Sequence, residues 1–172
     1  MILQDGSLIL RPLQIDDNED LARLANNKHV WDNLRDVLPH PYQVSDAENF
    51  ILSIANDDPQ LVFAIEYQSK LCGVIGLVMQ TDVYRLSAEI GYWLGEPYWG
   101  IGIATRAVSL VTDYAFKTLG FHRVYAGIFE YNKPSMRVLE KNGFVKEGIF
   151  KQSIIKNGKM WDEHRYAKVK PC

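Results

Sequence analysis

Cysteine is nearly absent: Cys72, inside an apolar run, and Cys172, at the end of the chain, are the only two in 172 residues. Two distant cysteines support neither a disulfide framework nor a cysteine-type zinc site, and they fit a reducing compartment. An excess of either charge is also missing. Lys and Arg number 19 against 21 Asp and Glu, a formal net charge of −2, so no overall positive field exists to hold nucleic acid and direct nucleic-acid binding is not expected. No uncharged apolar run approaches the roughly 20 residues of a membrane span. The opening Met1-Ile2-Leu3-Gln4-Asp5-Gly6 has neither the basic nor the apolar region of a secretory leader. The expectation is therefore a cytoplasmic protein without membrane attachment. Repeats, low-complexity tracts and linkers are lacking too, so 1–172 reads as a single domain.

What is present is an ordinary globular composition, 47% hydrophobic and 23% charged, long enough to bury a core without staples. Ile9–Leu13 is a short apolar run stopped by Pro12, and the acidic cluster Asp16, Asp17, Glu19, Asp20 suits the start of a helix buried through Leu21, Leu24 and Ala25. Residues 31–42 follow neither period and read as a loop loaded with Trp31, Asn33, Arg35, His40 and Tyr42. Ser45-Asp46-Ala47-Glu48 has the pattern of a capping box, followed by Ala47, Phe50, Ile51 and Ile54 at helical spacing. Strands are expected at 61–67 and 71–81 around Gln68-Ser69-Lys70, then at 86–94 after a connection containing Tyr84.

A helix from Ala104 to Gly120, a strand over 122–129 and a helix over 132–142 capped by Asn132 follow. The tail predicts a hairpin of 150–156 and 159–169 turned at Asn157-Gly158. This order is α/β with a mixed sheet, mostly antiparallel, whose single crossover makes 86–94 and 122–129 parallel neighbours. Ligands in such sheets bind beyond the carboxyl ends of parallel strands, which directs attention to residues 92–105.

Three segments there and downstream could carry chemistry. Trp99-Gly100-Ile101-Gly102-Ile103-Ala104-Thr105 leads into a helix, and its glycines and first-turn N–H groups would suit a pyrophosphate. It ends without the Gly-Lys-Ser/Thr of a nucleotide P-loop, and Thr105 stands where a dinucleotide fingerprint needs glycine, so a plain glycine-rich turn stays open. Asn132 and Ser135 share one edge of a helix start, where an amide and a hydroxyl could hold a ligand with peptide-like groups or merely cap the helix. Glu89 sits in the otherwise apolar Ala88-Glu89-Ile90-Gly91-Tyr92-Trp93-Leu94, where a carboxylate is costly unless paired or exposed. A general base and an ion-paired or edge glutamate both fit it.

In this order and spacing, Ala88–Leu94, Tyr98–Thr105 and Asn132-x-x-Ser135 through Gly143-Phe144 resemble the GCN5-related N-acetyltransferases. The branch they look like is the RimJ/RimL-like one that acetylates ribosomal-protein N-termini. The opening Leu10-Arg11-Pro12-Leu13 and the ending Gly158-x-x-x-Asp162-x-x-x-Tyr166-Ala167 are similar as well, so the likeness covers nearly the whole chain. It implies a mixed sheet with a splayed parallel pair and flanking helices, acetyl-CoA as cosubstrate and no metal. The loop Trp99, Gly100, Ile101, Gly102, Ile103, Ala104, Thr105 would grip the pyrophosphate through backbone N–H groups, with Trp99 in place of the family's Gln or Arg.

By the same likeness, the backbone of Tyr92, Trp93 and Leu94 would pair with the pantetheine arm, Asn132 would contact that arm, Ser135 would point at the thioester sulfur, and Glu89 would be the base. Many relatives carry a tyrosine acid seven residues after the asparagine; here that residue is Leu139, which shifts the role to Ser135, Tyr131 or water. The acceptor would be a primary amine, most simply a protein N-terminal α-amine, with a polyamine, amino acid or antibiotic as rivals and a noncatalytic acyl-CoA-binding module as the other class. Trp31, Asn33, Tyr84 and Glu89 are the acceptor-side candidates, with Arg35, His40, Tyr42, Asp162 and His164 beside them. A monomer or homodimer is expected.

Overall fold

A computed structural model describes residues 1–171; Cys172 lies outside them. The elements are β1 (Leu3–Asp5), β2 (Leu8–Arg11), α1 (Asn18–Ala25), α2 (Lys28–Trp31), α3 (Val44–Ile54), β3 (Val62–Tyr67), β4 (Lys70–Met79), β5 (Ser87–Leu94), α4 (Ile103–Lys117), β6 (Arg123–Phe129), α5 (Lys133–Lys141), β7 (Val145–Lys156) and β8 (Lys159–Val169). Strands are neighbours in the order β1-β2-β3-β4-β5-β6-β8-β7, the expected mixed α/β sheet in which β5 and β6 form a parallel pair. The chain divides into two compact units, Met1–Gly76 with Tyr92–Ala107, and Leu77–Gly91 with the residues from Val108 onward. Strands β4 and β5 and helix α4 each belong partly to both.

In the first unit, α1 and α3 bury Leu21, Leu24, Ala25, Ala47 and Ile51 against Ala64, Leu71 and Val74 of β3 and β4, with Trp93 and Tyr98 packed at the margin. Arg11 of β2 ties the unit together. Its guanidinium donates to both oxygens of Asp17 at 2.8 Å and to Glu66 at 2.7 Å. Burial alone would push the Asp17 carboxyl up, but hydrogen bonds from Arg11 and from the Gln14 N–H outweigh it and hold the group below the usual carboxylate range. Helix α3 begins earlier than the Ser45 capping box predicts: Gln43 is its N-cap and exchanges bonds with Asp46, whose carboxylate accepts from the Gln43 N–H at 2.8 Å. Trp31 belongs to α2 rather than to the loop that follows it.

In the second unit, β6 alternates buried Val124, Ala126 and Ile128 with half-buried Arg123, Tyr125, Gly127 and Phe129. Cross-strand partners share a face, so Ala88, Tyr166 and His164 join the buried set, and α5 docks there by the bond between Tyr166 Oη and Glu140 at 3.0 Å. The half-exposed face carries Glu89, Tyr125, Gly127, Phe129, Glu163 and Arg165. The parallel ladder runs from Ser87↔Arg123 to Glu89↔Tyr125, short of the carboxyl ends of both strands. Strand β7 starts five residues earlier than expected, at Val145, and bulges between Phe150 and Ile154. Gln152 has a positive φ of 49° at that bulge, and its N–H is held by Asp162 at 2.8 Å.

Gly73 tests how closely β4 and β5 approach. A Cβ built there would meet the Trp93 carbonyl oxygen at 2.1 Å, an atom fixed in the neighbouring strand that cannot rotate aside. Gly73→Ala should lower unfolding stability by roughly 1–3 kcal/mol in urea melts. A variant as stable as the parent would show that the approach is not tight.

Candidate active site

Helix α4 begins after a turn whose Gly100 and Gly102 have φ of 76° and 84°, the left-handed region that only glycine enters cheaply. A Cβ at either would meet no atom within 4 Å, so the turn faces open space. Ile103 is buried and anchors the turn, while Ile101 stands out at 60% exposure. The first-turn N–H groups of α4 have no acceptor within the helix and carry its positive end, and the loop backbone therefore fits an anionic group such as a pyrophosphate. Arg106 fastens this turn by an ion pair to Asp5 at 2.7 Å. On the other side Glu96 accepts from Asn27 at 2.7 Å and from the ring of His29 at 3.0 Å. The Asn27 bond first, then that of His29, holds the Glu96 carboxyl below its ordinary range.

Trp99 has a definite job in that turn. Its indole N–H donates to the Leu94 carbonyl at 2.8 Å, which pins the loop to the end of β5. Successive residues of a strand turn their backbone groups to opposite edges. The Trp93 carbonyl lies against Gly73 and the Gly95 N–H donates to Cys72 O at 2.8 Å, so residues 93 and 95 face β4. This corrects the expectation that Tyr92, Trp93 and Leu94 all pair with an extended ligand. Trp93 is committed to β4 and the Leu94 carbonyl to Trp99, while the backbone turned away from β4 is that of Tyr92 and the Leu94 N–H. Ala104 and Thr105, half-buried, continue the first turn.

In the second unit Glu89 is half-buried between buried Ala88 and Ile90, so the carboxylate is on the half-exposed face rather than in the core. Asn132 caps α5: its side-chain oxygen accepts from the Ser135 N–H at 3.3 Å. The Asn132 side-chain oxygen is thus engaged as a cap. Ser135 is half-buried in the first turn. Gly143, at φ 77°, terminates the helix as expected.

The acceptor-side residues are used more for folding than the sequence suggests. Trp31 donates to Leu38 O at 2.9 Å and stacks on His40 with centroids 5.3 Å apart. The Asn33 amide donates to His29 O at 2.9 Å, closing α2. Tyr42 is buried in the first core and Arg35 is exposed. Tyr84, in the second unit, is 69% exposed. His164 lies on the buried face, opposite that of Glu89, where burial first and then Lys146 and Lys133 push its imidazole below the usual value. Asp162 is held by Lys151 and Gln152 at 2.8 Å. Residues that the sequence did not single out, Tyr125, Gly127, Glu163 and Arg165, share the face of Glu89. The polar half of the alternation in β6 and β8 was the signal that could have found them.

Gly102→Val forces a β-branched residue into a left-handed turn at a cost of roughly 1–2 kcal/mol, and the reshaped turn should lose acetyl-CoA affinity. In the parent protein, acetyl-CoA at about 100 times its Kd should add roughly 2.7 kcal/mol of stability. Isothermal titration and thermal melts read both effects. A folded Gly102→Val protein that binds acetyl-CoA as the parent does would dissociate the loop from the cofactor.

The family model described as an acetyltransferase (GNAT) domain matches residues 7–145. The probable N-acetyltransferase YjcK of Bacillus subtilis (strain 168) is 33% identical over 98% of this chain and 96% of its own length. Spermidine N(1)-acetyltransferase of Escherichia coli (strain K12) is 29% identical over 88% and 80% of the two chains. Among solved structures, Mycobacterium smegmatis RimJ in complex with CoA-disulfide superposes with a TM-score of 0.82, at 25% identity over 98% of this chain and 86% of that one. On these matches the chain belongs to the GNAT acetyltransferase family and is an N-acetyltransferase.

Proposed function

We propose that this acetyl-CoA-dependent N-acetyltransferase passes the acetyl group to the α-amine at the end of a protein chain, as ribosomal-protein acetyltransferases do. The observation that carries the reading is the open face of the second unit, where Glu89, Tyr125, Phe129 and Glu163 lie half-exposed along adjacent strands. Such a strip admits the end of a polypeptide. The likeness to RimJ supports it, and the likeness to a spermidine acetyltransferase supports the small-amine rival.

Acetyl-CoA brings the activated acetyl group as a thioester. The N–H groups of the Gly100–Thr105 turn hold the pyrophosphate, and the backbone of Tyr92 and the Leu94 N–H orient the peptide-like arm. An amine is protonated at neutral pH, so Glu89 takes a proton from the ammonium, directly or through water, before nitrogen attacks the carbonyl. In this reading the Leu94 N–H stabilises the oxyanion. Ser135 hydrogen-bonds the sulfur as it leaves; its hydroxyl is a weak acid and orients more than it protonates. In this reading transfer is direct, and the buried Cys72 thiol, pushed up to about 11, is a poor candidate for a covalent intermediate.

Two experiments test this. Offered peptides with a free terminus, the same peptides with a blocked terminus and an internal lysine, and spermidine, the enzyme should acetylate the free terminus, as read by mass spectrometry. Product on spermidine alone would replace the peptide by a small amine. Glu89→Gln should lose on the order of 10²–10⁴ in kcat at saturating acceptor while retaining acetyl-CoA affinity. A kcat unchanged by Glu89→Gln would move the base elsewhere.

A further inference from the structure

Glu163 occupies a position that only an absent side chain makes possible. A Cβ built on Gly127 would lie 2.1 Å from Glu163 Oε1 and 2.6 Å from its Cδ, so the carboxylate rests flat across β6, over Gly127, instead of standing up from β8. Its other oxygen, Oε2, accepts from Arg165 Nη2 at 2.9 Å. Arg165 is itself clamped between rings, its guanidinium carbon 4.4 Å from the Phe150 centroid and 5.1 Å from that of Tyr125. The clamp buries Arg165 Nε without a hydrogen-bond partner, which is unfavourable for a polar group. Held by both rings, Arg165 in turn fixes the Glu163 oxygen it binds. Only 15% of the Glu163 side chain is exposed, and what is exposed lies on the face of Glu89.

We propose that Glu163 is a specificity-determining residue that receives a second cationic group of the acceptor, on the same face as the amine being acetylated. The proposal rests on the reading that the acceptor lies on the face of Glu89. The sheet sets the backbone spacing: Glu89 pairs with Tyr125, one strand across, and Gly127 is two residues further along β6, which at ~4.8 Å between strands and ~3.3 Å per residue separates Glu89 from Gly127 by about 8 Å. Arg165 takes one carboxylate oxygen and fixes its direction, and the oxygen over Gly127 meets the ligand. The ring of Phe129 lies on the same strip and favours a cation over an anion. Two sources supply this chemistry: a lysine or arginine near the start of a peptide acceptor, and the far ammonium of a linear diamine.

The test compares kcat/KM at saturating acetyl-CoA for two matched pairs, a peptide with lysine or glutamine at its second residue, and a linear diamine or the monoamine of equal chain length. The parent enzyme should favour the cationic member of at least one pair by roughly 5–10-fold, through KM rather than kcat, and less so in high salt. Glu163→Gln, which keeps the shape over Gly127, should erase the preference by weakening the cationic member alone. A preference in the peptide pair identifies a side chain as the source, and one in the amine pair identifies a free polycation. Gly127→Ala, which displaces the carboxylate without changing any charge, should reproduce the loss; should it fail to fold, Glu163→Gln still decides.

No preference in the parent, or an equal loss on both members of a pair in Glu163→Gln, overturns the role of Glu163 and leaves the acetyltransferase reading standing. Failure to acetylate any of the four amines by an enzyme that binds acetyl-CoA overturns both.

Discussion

Strand β5 alternates twice over, and the placing of its polar groups depends on the phase of that alternation. Its side chains alternate between a buried face, with Ala88 and Ile90, and a half-exposed one with Glu89. Its backbone groups alternate between two edges, with Trp93 turned to β4 and Tyr92 and Leu94 turned away. Because the period is two, a slip of a single residue would reverse both at once. Glu89 would be driven into the core unpaired, and the Trp93 carbonyl would leave Gly73. The apolar residues on either side of Glu89 therefore do more than fill space. They hold the register that keeps the carboxylate on the half-exposed face.

Glycine is what lets neighbouring strands and helices keep that register. At Gly73 the missing side chain leaves room for the Trp93 carbonyl, at Gly95 for Leu24 of α1, and at Gly127 for the Glu163 carboxylate. The first two fix backbone against backbone or helix against loop. At Gly127 the vacated space is filled by a charged group with an interaction partner, Arg165, and not by packing. A sheet position that needs only stability is better served by a β-branched residue, since glycine in a strand interior weakens it. The exception at Gly127 is what separates this position from the structural ones.

Much of the architecture was legible from periodicity. The helical stripe Ala47, Phe50, Ile51 and Ile54, the Asn157-Gly158 turn and the Asn132 cap all appear where the residues predict them, because each is set by local backbone chemistry. Boundaries decided by longer-range partners were less legible. The amino-terminal part of β7 has a mixed, mostly exposed pattern that carries no period, and it is a strand because β8 pairs with it from Ala167 to Lys159. The N-cap of α3 went to Gln43 rather than Ser45, since Gln43 and Asp46 form the reciprocal pair two residues earlier. In the candidate site, the loop and helix starts could be read from glycines and caps. Commitments made across strands, such as Trp93 to β4 or the Trp99 indole to Leu94, have no signature in a single segment.

The residues shared with the family motifs also divide by what they touch. Arg11 in the opening segment binds Asp17 and Glu66, and Asp162 in the closing one holds the β7 bulge through Lys151 and Gln152. Both are accounted for by folding, and the half-buried pairs at Arg11 punish removal of one partner more than they reward the pair. Tyr166, the next motif position, is likewise spent on Glu140 of α5. Glu163 and Arg165 stand between these positions on β8 with the opposite parity, so they face the open side of the sheet. A strand can in this way devote alternate residues to the scaffold, Asp162 and Tyr166 here, while the intervening ones make their contacts on the other face of the sheet.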